Sequence, residues 1–315
     1  MCARVLVTFQ LRFKWRLEEI PRRTQLWIAG FCGRGLIELK TFTCSVGEMR
    51  RLKRAIVKYG AGRKLLRGIG KYEDKCEKWT EKHIPRWGKK APACYEYLGQ
   101  LLAYADMIGS CAYGCPGGGA DEHAVWYLVS RSSSFGRAAL RLMKMGFYDE
   151  ALTIVRSIGE ISNLLLLFGV EPSSIKEWEQ SDRAYRLDKL SPGKIRKRIQ
   201  SLGGQPPMSA DKYSALCEIS THPVPEARPQ GFNHARRAMT GGMVVQETGA
   251  LVVLNELTMT MIVVVFMAAR VCKAPKETVK EIREVCEEAI KHLGSIDVTN
   301  FADTLKSLKG QPKNP

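Results

Sequence analysis

From Tyr95 onward the apolar residues recur at helical spacing, and the pattern predicts a succession of helices. Tyr97, Leu98, Leu101, Leu102, Ala105 and Ile108 fall on one face, and the run CAYGCPGGG then breaks the period. A second helix is predicted from about His123 to Met145, stopped by Gly146. A third follows Asp149 as N-cap, with Ala151, Ile154, Val155, Ile158, Ile161 and Leu165 inward and Gly169 as its stop. Ser174 and Glu177 fit a capping box opening a polar helix to about Lys189. Ser191-Pro192 opens a short basic helix that ends at Gly203-Gly204, and another spans about Asp211 to Ser220. After the irregular THPVPEARPQGFNH comes a long apolar helix over 243–272. Pro275 then opens an amphipathic one with Val279, Ile282, Val285, Ala289, Ile290 and Leu293 inward. No segment alternates at period 2 for long, and no repeat of fixed length is present. The reading is an all-α helical bundle over 93–295 with a tail at 296–315.

The stretch 243–272 is the one the pattern marks as long enough to suggest a membrane span. Its uninterrupted core, Leu257 to Ala269, is about thirteen residues where a span needs about twenty, and Asn255 and Glu256 fall near the middle of any longer version. It reads as the buried central helix of the bundle.

Upstream the character changes. Residues 1–48 mix Trp15, Trp27, Cys2, Cys32 and Cys44 with arginines and hold no period, so an extension of doubtful structure is expected there, with Met49 as an alternative start. Residues 49–92 form a basic region with short helical patches, punctuated by Gly60, Gly62, Gly68 and Gly70. Of the net charge of +17, residues 1–95 carry +15 (23 Lys and Arg against 8 Asp and Glu) and residues 96–315 only +2 (26 against 24). Such a concentration of positive charge attracts polyanions by counterion release, and RNA or DNA is the partner it suggests. Arg50, Arg51, Lys53, Arg54, Arg63, Lys64 and Arg67 are the candidate contacts. A solvated charged face is the competing account.

Composition narrows the chemistry. Ten scattered cysteines without a CxxC pair argue against a disulfide framework, and charges through every window of residues 1–30 leave no secretory h-region, so a reducing cytoplasmic setting is expected. P-loop, dinucleotide-binding, HExxH and GxSxG signatures are missing. Cys111-x3-Cys115, with Cys94 before and His123 after, matches no usual zinc spacing, and no metal or other cofactor is predicted.

The third helix carries the most suggestive polar residues. Arg156, Glu160 and Asn163 are spaced i, i+4, i+7 and share a stripe, either as a structural network or as a ligand site. The segment GFYDEALTIVRSIGEISNLLLLF, followed by YSALCEISTHP and a long apolar helix, resembles an uncharacterised all-helical family of bacterial proteins with an R-x-x-x-E pattern and a downstream Tyr-x(8)-His. The matching positions are Arg156, Glu160, Tyr213 and His222. That family is distantly similar to the HEPN superfamily, many of whose helical bundles are metal-independent RNases with an Arg-x(4–6)-His motif. The resemblance implies Arg228 and His234 of RPQGFNH in those roles, with Pro229 and Gly231 standing where the family has a helix end. Arginine would stabilise phosphorane charge while histidine acts as general acid–base. The alternative is a non-catalytic helical interaction or scaffold module.

Overall fold

The computed structural model describes residues 23–27, 31–32, 35–36, 41–45, 61–111, 120–221, 245–272 and 274–294. Among these the chain is an all-α bundle of ten helices: α1 (Ala61–His83), α2 (Ala91–Cys111), α3 (Ala120–Met145), α4 (Tyr148–Val170), α5 (Ser173–Gln180), α6 (Arg183–Lys189), α7 (Pro192–Ser201), α8 (Ala210–Leu216), α9 (Glu247–Val271) and α10 (Lys276–Lys291). In the N-terminal segment two short antiparallel pairings, Arg23–Trp27 with Thr41–Ser45 and Phe31–Cys32 with Gly35–Leu36, are nested one inside the other. The sequence reading expected no strand there, because five-residue runs such as RTQLW are too short to show a period of two.

The centre of the bundle is α9, which packs along α4, α2 and α3 and is flanked by α10. Val252, Val253, Leu254, Leu257, Ile262 and Met267, which point to different sides of the helix, are all buried. A helix enclosed on all sides has no reason to be amphipathic, which accounts for its continuous apolar sequence. By length and composition α4 passes the same membrane-span criterion as α9, a point the sequence pattern alone did not raise. In the fold, 67% of the apolar window of α4 and 78% of that of α9 is buried within the protein.

Several boundaries differ from the sequence expectation for identifiable reasons. The glycines at 62, 68 and 70 do not divide the basic region; α1 runs through all three. A glycine inside a helix costs about 0.5–1 kcal/mol, and here Cys76, Thr80 and His83 are buried on one face of the same helix. Thr80 Oγ1 donates to the Lys144 carbonyl (2.8 Å), while Lys144 Nζ pairs with Glu77 (2.5 Å) and Glu81 (2.8 Å), so α1 is fastened to the end of α3. Phe147, not Asp149, occupies the N-cap of α4; Asp149 lies in its first turn, where a carboxylate still suits the helix dipole. Gly169 is helical rather than a stop, and a Cβ there would come within 2.3 Å of Met267 Cε, so it marks close packing of α4 against α9. The helix ends instead before Pro172, whose ring pushes Glu171 out of the helical region.

The polar helix expected to reach Lys189 is two helices. Asp182 starts the second by accepting a hydrogen bond from the Tyr185 amide (2.7 Å). Ser174 and Glu177 do not form the capping box: the Ser174 hydroxyl donates to the Glu171 carbonyl (2.6 Å), and Glu177 pairs with Arg198. On α10, Cys286 joins Ile282 and Ala289 in the core and Ile290 is half exposed.

Candidate functional site

Helix α4 is the spine on which the polar residues of the bundle are arranged. At its start the buried Tyr148 hydroxyl donates to the Gln246 carbonyl (3.0 Å) and accepts from the Gln246 amide (2.8 Å), fixing the approach to α9. Burial pushes the Tyr148 phenol well above its ordinary range. Four turns on, the buried Asn163 does the same for the approach to α8: Nδ2 donates to the Met208 carbonyl (2.9 Å) and Oδ1 accepts from the Met208 amide (2.9 Å). One turn earlier Gly159 leaves room for the Met208 side chain; a Cβ at 159 would meet Met208 Cε at 2.1 Å. Asn163 is therefore a structural clamp, and only two members of the predicted stripe remain for chemistry.

Arg156 and Glu160 are half-buried and no ion pair joins them. The enclosed Arg–Glu pair suggested by their spacing gives way to a different arrangement. Arg156 Nη1 donates to Cys217 Sγ (3.4 Å), and its guanidinium stands 5.4 Å from the centre of the Tyr213 ring. Arg196 of α7 approaches the same ring at 4.8 Å. Burial opposes the charge on Arg156, but Cys217, Tyr213 and Glu160 outweigh it and raise its pKa. Burial and the nearby Glu160 charge raise the Tyr213 phenol. Arg156, Glu160 and Tyr213 thus lie close together. His222, Arg228 and His234 lie outside the described residues.

Besides acting on Arg156 and Tyr213, Glu160 lines a cleft of about 350 Å³ bounded by α3, α4 and the α5–α7 arm. Phe135, Ile161, Trp178 and Ile195 contribute its apolar walls, and its charged and hydroxyl groups come from Arg131, Ser157 and Glu160. Arg131 lies over the Phe135 ring (4.7 Å) and donates to the Tyr127 hydroxyl (3.1 Å), and Trp178 packs edge-to-face with Phe168. Glu160 has no hydrogen bond or ion pair with a described residue, so its carboxylate is available to whatever enters.

The basic region takes shape on α1. Of the predicted contacts, Arg50, Arg51, Lys53 and Arg54 lie outside the described residues; Arg63 and Lys64 belong to the first turn of α1, and Arg67 is exposed on its second. The structure adds Lys71, Lys75, Lys78 and Lys82, all exposed. At about 100° per residue, positions 67, 71, 75, 78 and 82 fall within one narrow stripe. The acids Glu77 and Glu81 occupy the other edge, where they hold Lys144. The signal was present in the spacing i, i+4, i+8, i+11, i+15, and was lost because the glycines appeared to interrupt the helix. Among the described residues no group of His, Cys, Asp and Glu is arranged to hold a metal. Cys94 is a core residue, its thiol donating to Thr258 Oγ1 (3.4 Å). In comparisons with known proteins, the chain matches no protein-family model, no curated protein and no solved structure, so its site is read from its own residues.

Proposed function

We propose that this protein binds nucleic acid and that the basic stripe of α1 is its backbone contact. The observation that carries the reading is the distribution of charge on that helix, with five exposed cations along one edge, Glu77 and Glu81 on the other, and the exposed Asp74 at the border between them. From Arg67 to Lys82 the stripe runs about 22 Å at 1.5 Å per residue, long enough to follow several successive phosphates. A helix whose cations were present only for solubility has no need to sort them from its acids. The excess of +15 over residues 1–95 extends the same field.

The test is binding of a labelled single-stranded RNA to the full chain and to a Lys71→Gln/Lys75→Gln/Lys78→Gln/Lys82→Gln variant across a range of salt. Each phosphate contact adds about 0.7 to the slope of log affinity against log salt for a single strand. The variant should lose about 2–3 from that slope and bind more weakly at every salt concentration, while keeping its melting temperature. Equal affinity and slope in the two proteins would overturn the reading. Following the integrity of the same RNA in EDTA, beside His222→Ala and His234→Ala variants, tests the cleavage that the HEPN resemblance implies.

A further inference from the structure

The geometry points to a nucleobase pocket: the cleft between α3, α4 and the α5–α7 arm takes an unstacked guanine, read by Glu160. The inference deepens the nucleic-acid reading by naming the base that single-stranded nucleic acid would present. A volume of about 350 Å³ lies at the small end of ligand pockets, which run about 300–1,000 Å³. It excludes a duplex and suits a single nucleoside. Phe135 and Trp178 supply the aromatic surface on which bases stack in single-strand recognition.

Guanine is selected by the free carboxylate. Glu160 has two acceptor oxygens and no donor, and although its charge acts on Arg156 and Tyr213 it accepts no hydrogen bond from a described residue. Its best complement is a ligand with two adjoining N–H donors. Guanine has them at N1 and N2. Adenine and cytosine each set a ring acceptor beside their amino group, and uracil flanks its single N–H with two carbonyls, so all three turn acceptors toward the carboxylate. An organic cation would also pair with Glu160, but it would enter a cleft that already holds Arg131. A neutral base carrying an anionic phosphate fits both features: the base meets Glu160 and the phosphate meets Arg131.

The experiment titrates the full chain with uridine tracts carrying one central guanosine, adenosine or inosine, and separately with free GMP and AMP by calorimetry. Guanosine should bind roughly tenfold or more tighter than adenosine, as expected of one good bidentate contact. Inosine, which lacks the N2 amino group, should fall between. Glu160→Gln should erase the guanosine preference, and Trp178→Ala should weaken GMP binding, with melting curves confirming that both variants remain folded. Absence of a guanosine preference, or a preference that survives Glu160→Gln, overturns the inference while leaving the α1 stripe untouched. Loss of the stripe's contribution with GMP binding intact would overturn only the earlier reading. Failure of GMP to bind, with no preference among the tracts, also overturns the pocket.

Discussion

Replacing Asn163 with leucine deletes two buried hydrogen bonds while keeping the branched shape of the side chain. The Met208 amide and carbonyl, each 2.9 Å from the Asn163 side chain, would be left buried without their partner. An unsatisfied buried backbone group costs about 1–3 kcal/mol, so the two together cost about 2–6 kcal/mol. The added apolar surface of leucine returns about 1–2 kcal/mol and its greater bulk costs about 1–3 kcal/mol in a packed site, leaving a net loss of about 1–8 kcal/mol. Urea unfolding followed by circular dichroism measures this as a lower midpoint at unchanged slope. Asn163→Asp separates hydrogen bonding from volume. At neutral pH the carboxylate still accepts from the Met208 amide but sets a negative oxygen against the carbonyl. Burial raises the folded pKa of that carboxyl above its unfolded value, so the variant gains stability as pH falls through the raised pKa and the protonated carboxyl donates to the carbonyl. A change of less than about 0.5 kcal/mol in Asn163→Leu, or an Asn163→Asp variant that does not recover in acid, would refute the account of Asn163 as the clamp on the 202–209 connection.

Two further outcomes follow from the electrostatics. Arg198 forks onto Glu171 (2.7 and 2.9 Å) and Glu177 (2.9 and 2.7 Å), and these bonds hold the Glu177 carboxyl below its ordinary range. The stability this confers is present above the unfolded glutamate pKa of about 4.3 and is lost as pH falls through the lower folded value. Arg198→Met should therefore melt below the wild type at pH 7 and converge with it near pH 3; a gap that stays constant across that range would show that packing, not charge, joins α7 to α5. Burial also pushes the Cys286 thiol up to about 11, which leaves about one thiolate in a thousand at pH 8. Iodoacetamide followed by peptide mapping should label the half-buried Cys272 well before Cys286, with the difference vanishing in urea; equal rates in the native protein would contradict the burial of Cys286.

The helical period by itself determined the fold class and most of the helices from Ala91 onward, because α2, α3, α4 and α10 each place an apolar stripe against α9, and α7 and α8 pack in turn on α4. It also marked Arg156 and Glu160, which i, i+4 spacing sets on one stripe; Tyr213 was marked only by the family resemblance. Local pattern could not tell what those side chains would meet. Asn163 and Tyr148 bond to backbone 45 and 98 residues away, and Arg156 turns to a cysteine 61 residues on, choices made by how α8 and α9 return to α4. The continuity of α1 through its glycines was likewise decided by tertiary contact, because a propensity penalty of about 1 kcal/mol per glycine is small beside the burial of Cys76, Thr80 and His83 and the Lys144 pairs. The cleft beside Glu160 belongs wholly to the tertiary structure: its lining residues come from four helices and the turn between α6 and α7, and nothing in the order of the chain brings Arg131, Glu160 and Trp178 to a common cavity until the arm folds back over α4.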